Sequence, residues 1–207
     1  MYTHDKEILM AGVKPADAKG ALIMLHGRGS SAGNIVGLAN NLNVDDMAIY
    51  APQATNNSWY PYSFMAPDED NQPALNSALE MVNKAVNTAL ADGIPQHKIY
   101  LLGFSQGACL TLEYLARHAQ PFGGAVAFTG GLAGEKLNMD NYKGDFIGMP
   151  VLITTSNPDP HVPLTRVQDS VKVLKGLDAA VTLEVYNNKS HSISYEEIEL
   201  ANKIIFA

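Results

Sequence analysis

The sequence predicts an α/β fold in which a mostly parallel sheet is covered by helices on both faces. Three observations carry that expectation. Short apolar runs of strand length alternate with segments whose apolar residues recur at helical spacing, the pattern of parallel strands joined by helical crossovers. The run Lys98 to Phe104 (KIYLLGF) is almost continuously apolar, as a strand buried on both faces must be. The 207 residues are 46% apolar and 17% charged, enough for one sizeable core. No internal repeat, low-complexity tract or Ser/Gly linker divides them, so residues 1–207 read as one domain.

Glu7 to Ala11 and Ala21 to Leu25 read as short strands, apolar and bounded by polar residues or Gly. Ser31 to Leu42 reads as a helix, with Ile35, Leu38 and Leu42 spaced for one face. Met47 to Ala51 is a strand closed by Pro52. Residues 52–73 carry no period and form a long loop holding Trp59, Tyr60, Tyr62, Phe64 and Met65. Long loops in compact domains are usually functional or disordered, and so many aromatics argue against disorder. Leu75, Leu79, Val82, Val86 and Leu90 then mark a helix that Asp92-Gly93 ends. After the strand Lys98 to Phe104 come a helix from Gln106 to His118 and strands at Ala125 to Thr129, Val151 to Thr155 and Val181 to Tyr186. Val167 to Leu177 and Tyr195 to Ile205 read as helices.

Charge and composition exclude several functions. Fourteen Lys and Arg face 21 Asp and Glu, a formal charge of −7 with no basic cluster, so no nucleic-acid partner is expected. One cysteine, Cys109, rules out an intramolecular disulfide framework and a multi-cysteine zinc site. Charges interrupt each apolar stretch of residues 1–20, which argues against a signal peptide and for the cytoplasm. No window approaches the ~20 apolar residues of a membrane span, so stable membrane insertion is not expected.

The most informative segment is Gly103-Phe104-Ser105-Gln106-Gly107, a G-x-S-x-G run between the buried strand and a helix. A sharp strand-to-helix turn forces its central serine into a strained conformation and leaves no room for side chains two residues away. Gly103 and Gly107 meet that demand. Such a turn lifts the Ser105 hydroxyl to the carboxyl end of the sheet, where the helix N-terminus favours a developing oxyanion.

A serine hydroxyl needs a base. Where a nucleophile follows a strand in this way, the order along the chain is Ser, acid, His. Of the six histidines, only His161 and His191 lie beyond Ser105 in loops. His118, at the far end of the helix that Ser105 starts, is about 20 Å away at 1.5 Å per residue. His191 is the favoured base and His161 the competitor, because acid and base from separate loops bracket a nucleophile more naturally. Asp159, four residues past the strand Val151 to Thr155, would orient the imidazole, although Asn157-Pro158-Asp159-Pro160 also suits a plain turn aspartate.

The strand ALIML runs into His26-Gly27-Arg28-Gly29, a Gly-rich turn whose N–H groups can face a carbonyl oxygen. The two oxyanion donors are assigned to the amides of Arg28 and Gln106. His26 is read as a structural residue buried under this loop. A phosphate cradle is disfavoured, since neither the P-loop lysine nor G-x-G-x-x-G is present.

Taken together, LHGRG, APQATNNSWYPY, GFSQGA, DPHVP and SHSIS resemble the bacterial phospholipase/carboxylesterase family of α/β-hydrolases, which includes acyl-protein thioesterases and small carboxylesterases. The resemblance runs from about Leu25 to Ser194, and GFSQGA is its most specific piece. It implies an α/β-hydrolase fold with Ser105 as nucleophile, Asp159 as acid, His191 as base and Arg28 and Gln106 as oxyanion donors. It also implies a cofactor-free enzyme, often a homodimer. Three positions depart from the common pattern. Arg28 stands where Leu is frequent, Ser190 precedes the base where Gly is frequent, and Asn157-Pro158 stands near the acid where a Gly is common. The Arg28 side chain would favour an anionic substrate group or point to solvent.

The expected reaction is hydrolysis of a small-molecule ester or thioester through an acyl-enzyme. Small soluble esters are favoured, since net acidity does not suit anionic membranes. Lysophospholipase or acyl-protein thioesterase activity is the alternative within the class. Two rivals lie outside it: a non-catalytic binding protein on the same fold, and a flavodoxin-like cofactor binder with the same alternation. Trp59, Tyr60, Tyr62 and Phe64 are candidate substrate-binding residues, or else a satellite cluster that pins the loop. The segment Gly130 to Met149 could border the site but is too short for a lid domain.

Overall fold

A computed structural model describes residues 2–207. Its centre is a seven-stranded sheet: β1 (Ile8–Gly12), β2 (Gly20–Leu25), β3 (Met47–Pro52), β4 (Ile99–Phe104), β5 (Gly124–Phe128), β6 (Pro150–Asn157) and β7 (Ala180–Asn187). The spatial order is β1-β3-β2-β4-β5-β6-β7. All neighbours are parallel except β1, which runs antiparallel to β3 at one edge.

Alternation along the strands sorts their side chains into two cores. Ile23, Leu25, Leu101, Ala127 and Ile153 pack under α2 (Ala74–Ala91), α3 (Gln106–Arg117) and α4 (Leu164–Gly176). Leu22, Met24, Leu102, Val126 and Leu152 pack on the opposite face under α1 (Ala32–Val36) and α5 (Tyr195–Ile204). This double burial explains why the central strands read as unbroken apolar runs.

The predicted helix from Ser31 to Leu42 is shorter than expected. Ser31 is the N-cap of a five-residue α1, and Gly37–Asn41 continues as a 3-10 helix. Gly37, Asn40 and Asn41 are poor helix formers, and the tighter turn still buries Leu42. The aromatic loop is also less irregular than expected, with 3-10 turns at Thr55–Asn57 and Asp68–Asn71. In α4 the first turn begins before Val167 because Pro163 caps it and Arg166 is buried, a polar residue that breaks the apolar period. Strand β6 continues two residues past Thr155, paired with β7 to Asn157↔Asn187. That extension brings Asp159 to within two residues of the strand end.

The segment Gly130 to Met149 packs on the α3–α4 side and is stitched down by buried polar side chains. Arg166 donates to the carbonyls of Leu132 and Gly134. The Glu113 carboxylate accepts the Ala133 N–H at 2.9 Å and pairs with Arg117 at 2.7 Å. It does not form a separate lid domain. Among the described residues no helix is long and apolar enough to cross a membrane.

Candidate active site

Parallel strands deliver their following loops to one edge of the sheet, and the predicted site residues gather there. Ser105 follows β4, Arg28 lies three residues after β2, Asp159 two after β6 and His191 four after β7. Ser105 occupies φ 54°, ψ −117°, a strained conformation for a residue with a side chain. Its N–H donates to the Phe128 carbonyl at 2.9 Å, which holds the turn against β5. The two glycines are explained by contact. A Cβ on Gly107 would lie 2.1 Å from the Leu25 carbonyl oxygen, and one on Gly103 would lie 2.3 Å from that of Gly107. The Ser105 turn is therefore pressed against the end of β2, which also brings the 27–29 turn close.

Ser105 Oγ lies 2.8 Å from His191 Nε2, and His191 Nδ1 lies 2.8 Å from Asp159 Oδ2. With a neutral ring, the serine hydroxyl donates to Nε2 and Nδ1–H donates to the carboxylate. The Asp159 side chain is 1% exposed and the His191 side chain 17%. The second carboxylate oxygen, Oδ1, accepts the N–H groups of His161 and Val162, each at 2.9 Å. Asp159 is thus both a turn aspartate and the partner of His191. Burial works to raise its pKa, but the bonds from His191 and the two amides outweigh burial and hold the carboxyl below its ordinary value. His161 reaches Asp159 through its amide, and its ring packs edge-on against that of His191 with centroids 4.9 Å apart.

Ser105 opens into a cleft of about 530 Å³ lined by Arg28, Gln106, Tyr60, Tyr62, Phe64 and Val162 among others. Among the described residues, neither the Arg28 amide nor the Gln106 amide donates a hydrogen bond to the protein. Trp59 does not line the cleft, which corrects the expectation that it binds substrate. It is 0% exposed, lies tilted against the His26 ring with centroids 5.0 Å apart and donates its indole N–H to the His26 carbonyl at 2.8 Å. A large apolar ring with one donor is satisfied behind the wall, and its loop neighbours form the surface.

The Arg28 side chain is exposed and also fastens the loop. Its guanidinium donates to the Ser58 hydroxyl at 3.1 Å, the Pro61 carbonyl at 2.7 Å and the Tyr62 carbonyl, and lies 6.0 Å over the Tyr60 ring. It clamps the aromatic loop. Gln106 does the same from the other side: its Oε1 accepts the Trp59 N–H and its Nε2 donates to the Tyr60 carbonyl, both at 2.8 Å. Two buried histidines complete the fastening. His26 accepts the Ala54 N–H on Nε2 at 3.2 Å, and His4 accepts the Thr55 N–H on Nδ1 at 3.0 Å. Burial lowers the pKa of both. His26 is structural, as its strand-end position suggests.

Cys109 lies one turn beyond Ser105 on α3 and lines the cleft at 2% exposure. Burial pushes its thiol up to about 12, so it is a neutral wall group. Among the described residues no three His, Cys, Asp or Glu side chains converge as metal ligands would.

A family model described as Phospholipase/Carboxylesterase matches residues 7–206. The chain belongs to the phospholipase/carboxylesterase family. A crystal structure of a phospholipase/carboxylesterase from Dyadobacter fermentans DSM 18053 is 57% identical and superimposes with a TM-score of 0.99, covering 100% of this chain and 99% of that one. Acyl-protein thioesterase 1 of Kluyveromyces lactis is 26% identical over 206 residues, 90% of each chain. A probable carboxylesterase of Oryza sativa subsp. japonica is 28% identical over 146 residues, 68% of this chain and 54% of the relative. The chain spans about half the length of the plant relatives it matches. The sheet order and the likeness to the Dyadobacter fermentans structure place the phospholipase/carboxylesterase chain in the α/β-hydrolase fold.

Proposed function

We propose that this chain is a serine carboxylic-ester hydrolase acting on small soluble esters through Ser105, His191 and Asp159. The observation that carries the reading is the pair of 2.8 Å contacts linking Ser105, His191 and Asp159 at the mouth of a cleft. As Ser105 Oγ bonds to the acyl carbon, its proton passes to His191 Nε2, and Asp159 stabilises the imidazolium without taking the proton. The carbonyl electrons move to oxygen, where the amides of Arg28 and Gln106 receive the charge. One such donor is typically worth ~3 kcal/mol of transition-state stabilisation. His191 returns the proton to the leaving alcohol as the tetrahedral intermediate breaks the acyl–oxygen bond. Water then repeats the sequence on the acyl-enzyme with His191 as base.

The wall of Tyr60, Tyr62 and Phe64 is read as the substrate-contacting surface, because all three line the cleft that Ser105 enters. A thioester substrate is the second reading, favoured by the likeness to the K. lactis acyl-protein thioesterase over 90% of both chains. The same steps serve it, with His191 protonating the leaving thiol. We read residues 1–207 as one domain acting in the cytoplasm, the single sheet supporting the one-domain reading.

The test is a chain-length series of p-nitrophenyl esters beside lysophospholipid and acyl-thioester substrates, with Ser105→Ala as control. Short esters should be cleaved most efficiently, and Ser105→Ala should lose both turnover and labelling by a fluorophosphonate. Greater kcat/KM on lysophospholipid overturns the substrate assignment. Parental turnover by Ser105→Ala overturns the chemistry.

A further inference from the structure

We propose that Lys189 and Glu197 are positioning residues that hold His191 against Ser105 and Asp159. The inference rests on the hydrolase reading and adds to it the device that keeps the base in place. His191 lies in the loop between β7 and α5, with the sequence Asn188-Lys189-Ser190-His191-Ser192-Ile193-Ser194. Six of these seven residues are polar, so apolar packing supplies little to fix the loop. A surface lysine ordinarily keeps its ammonium in water. Here the Lys189 side chain is only 12% exposed and turns inward.

Its Nζ lies 3.1 Å from the Glu197 carboxylate and donates to the carbonyls of Ser190 and Ser192. Those carbonyls flank His191 on either side along the chain. One ammonium therefore bridges both shoulders of the base. Glu197 itself is 0% exposed. Its Oε2 also accepts the Ser194 N–H at 2.7 Å, and its other oxygen accepts the Thr154 hydroxyl from β6. β6 is the strand that leads to Asp159. A single buried carboxylate thus ties the strand bearing the acid to the loop bearing the base.

The capping box between Ser194 and Glu197 accounts for part of this arrangement, since it starts α5. It does not account for Lys189, which is not a member of the box and gives up solvent to reach the carbonyls beside His191. The geometry at stake is narrow, because both imidazole nitrogens are committed at 2.8 Å. Misplacing a reacting group by about 1 Å can cost on the order of 10²-fold in rate.

Lys189→Met keeps the aliphatic stem and removes the ammonium, and Lys189→Arg keeps the charge. In Lys189→Met, kcat on a short p-nitrophenyl ester should fall about 10-fold or more with KM changed less than about 2-fold, as loss of alignment without loss of binding requires. Lys189→Arg should recover most of that loss, and Glu197→Gln should reproduce the Met variant. The His191 imidazole N–H, followed by NMR, should show faster solvent exchange in Lys189→Met than in the parent. That resonance needs no turnover, so it judges the clamp even where the parent hydrolyses no ester or thioester, a result that sinks the hydrolase reading alone. An unchanged exchange rate together with kcat within about 2-fold of the parent overturns the proposal, as does an equal loss in the Arg and Met variants.

Discussion

Replacing Gln106 by Leu isolates what its side chain does, because the amide of residue 106 stays. The change strands the Trp59 N–H, held at 2.8 Å, and takes one of two donors from the Tyr60 carbonyl, which keeps the Ser58 hydroxyl at 2.9 Å. Trp59 is 0% and Tyr60 1% exposed, so water has no ready access to either group. A buried polar group left unpaired costs about 1–3 kcal/mol, and the one hydrogen bond lost at Tyr60 adds about 1. The new apolar atoms return about 1 kcal/mol, so the expected net loss is about 2 kcal/mol. For a chain of this size that corresponds to a fall in Tm of roughly 4–8 °C. Urea unfolding of parent and variant measures it, and the m-value should stay constant if the unfolded surface is the same. KM should rise as the Tyr60–Phe64 wall loosens, while fluorophosphonate still labels Ser105. A loss under about 1 kcal/mol with an unchanged m-value refutes the claim that Gln106 fastens the loop.

Asp159→Asn should lower kcat by several orders of magnitude with little change in KM, since the amide cannot stabilise the imidazolium. Its effect on stability carries a sign that urea melts across pH can check. The Asp159 carboxyl is held below its ordinary 3.8, so its contribution is present above that value and is lost as pH falls through the depressed one. The stability gap between parent and variant should therefore narrow below about pH 4. Gly107→Ala should destabilise by roughly 3 kcal/mol or more, because its Cβ meets main-chain oxygens of Leu25 and His26 at 2.1 and 2.6 Å; a variant melting within a degree of the parent refutes it. Cys109, with its thiol pushed up to about 12, should not react with a disulfide reagent at pH 8 in the native protein and should react once denatured.

The sheet and the tight turn at Ser105 were legible because local chemistry determines them. Apolar runs announce strands buried on both sides, and Gly103 and Gly107 mark a turn that tolerates no side chain. That Asp159 and His191 lie in loops after strands was legible, since parallel topology sends all such loops to one edge. Tertiary partners hid the rest. Arg28 and Gln106 bond to main-chain groups of residues 59–62, whose position depends on His4 and His26 as much as on the loop itself. Trp59 looked like a cleft residue because sequence order says nothing about which side of a wall a ring faces. Glu113, Arg166 and Glu197 sit at helical positions where a charge ordinarily faces solvent, and nothing local marks them as buried. The acidic residue at the third position after Ser194 was the one available signal, for it matches a capping box.

The double duty of Arg28 and Gln106 constrains how this cleft can diversify. On the proposed mechanism their amides receive the negative charge while their side chains grip the aromatic rim, so a new rim shape would pull on those amides. Exchanges at Tyr62, whose ring is 59% exposed, leave those grips intact because Arg28 bonds only its carbonyl. On the proposed reading, selectivity is most freely rewritten at that outer residue, and least freely at the two residues beneath it.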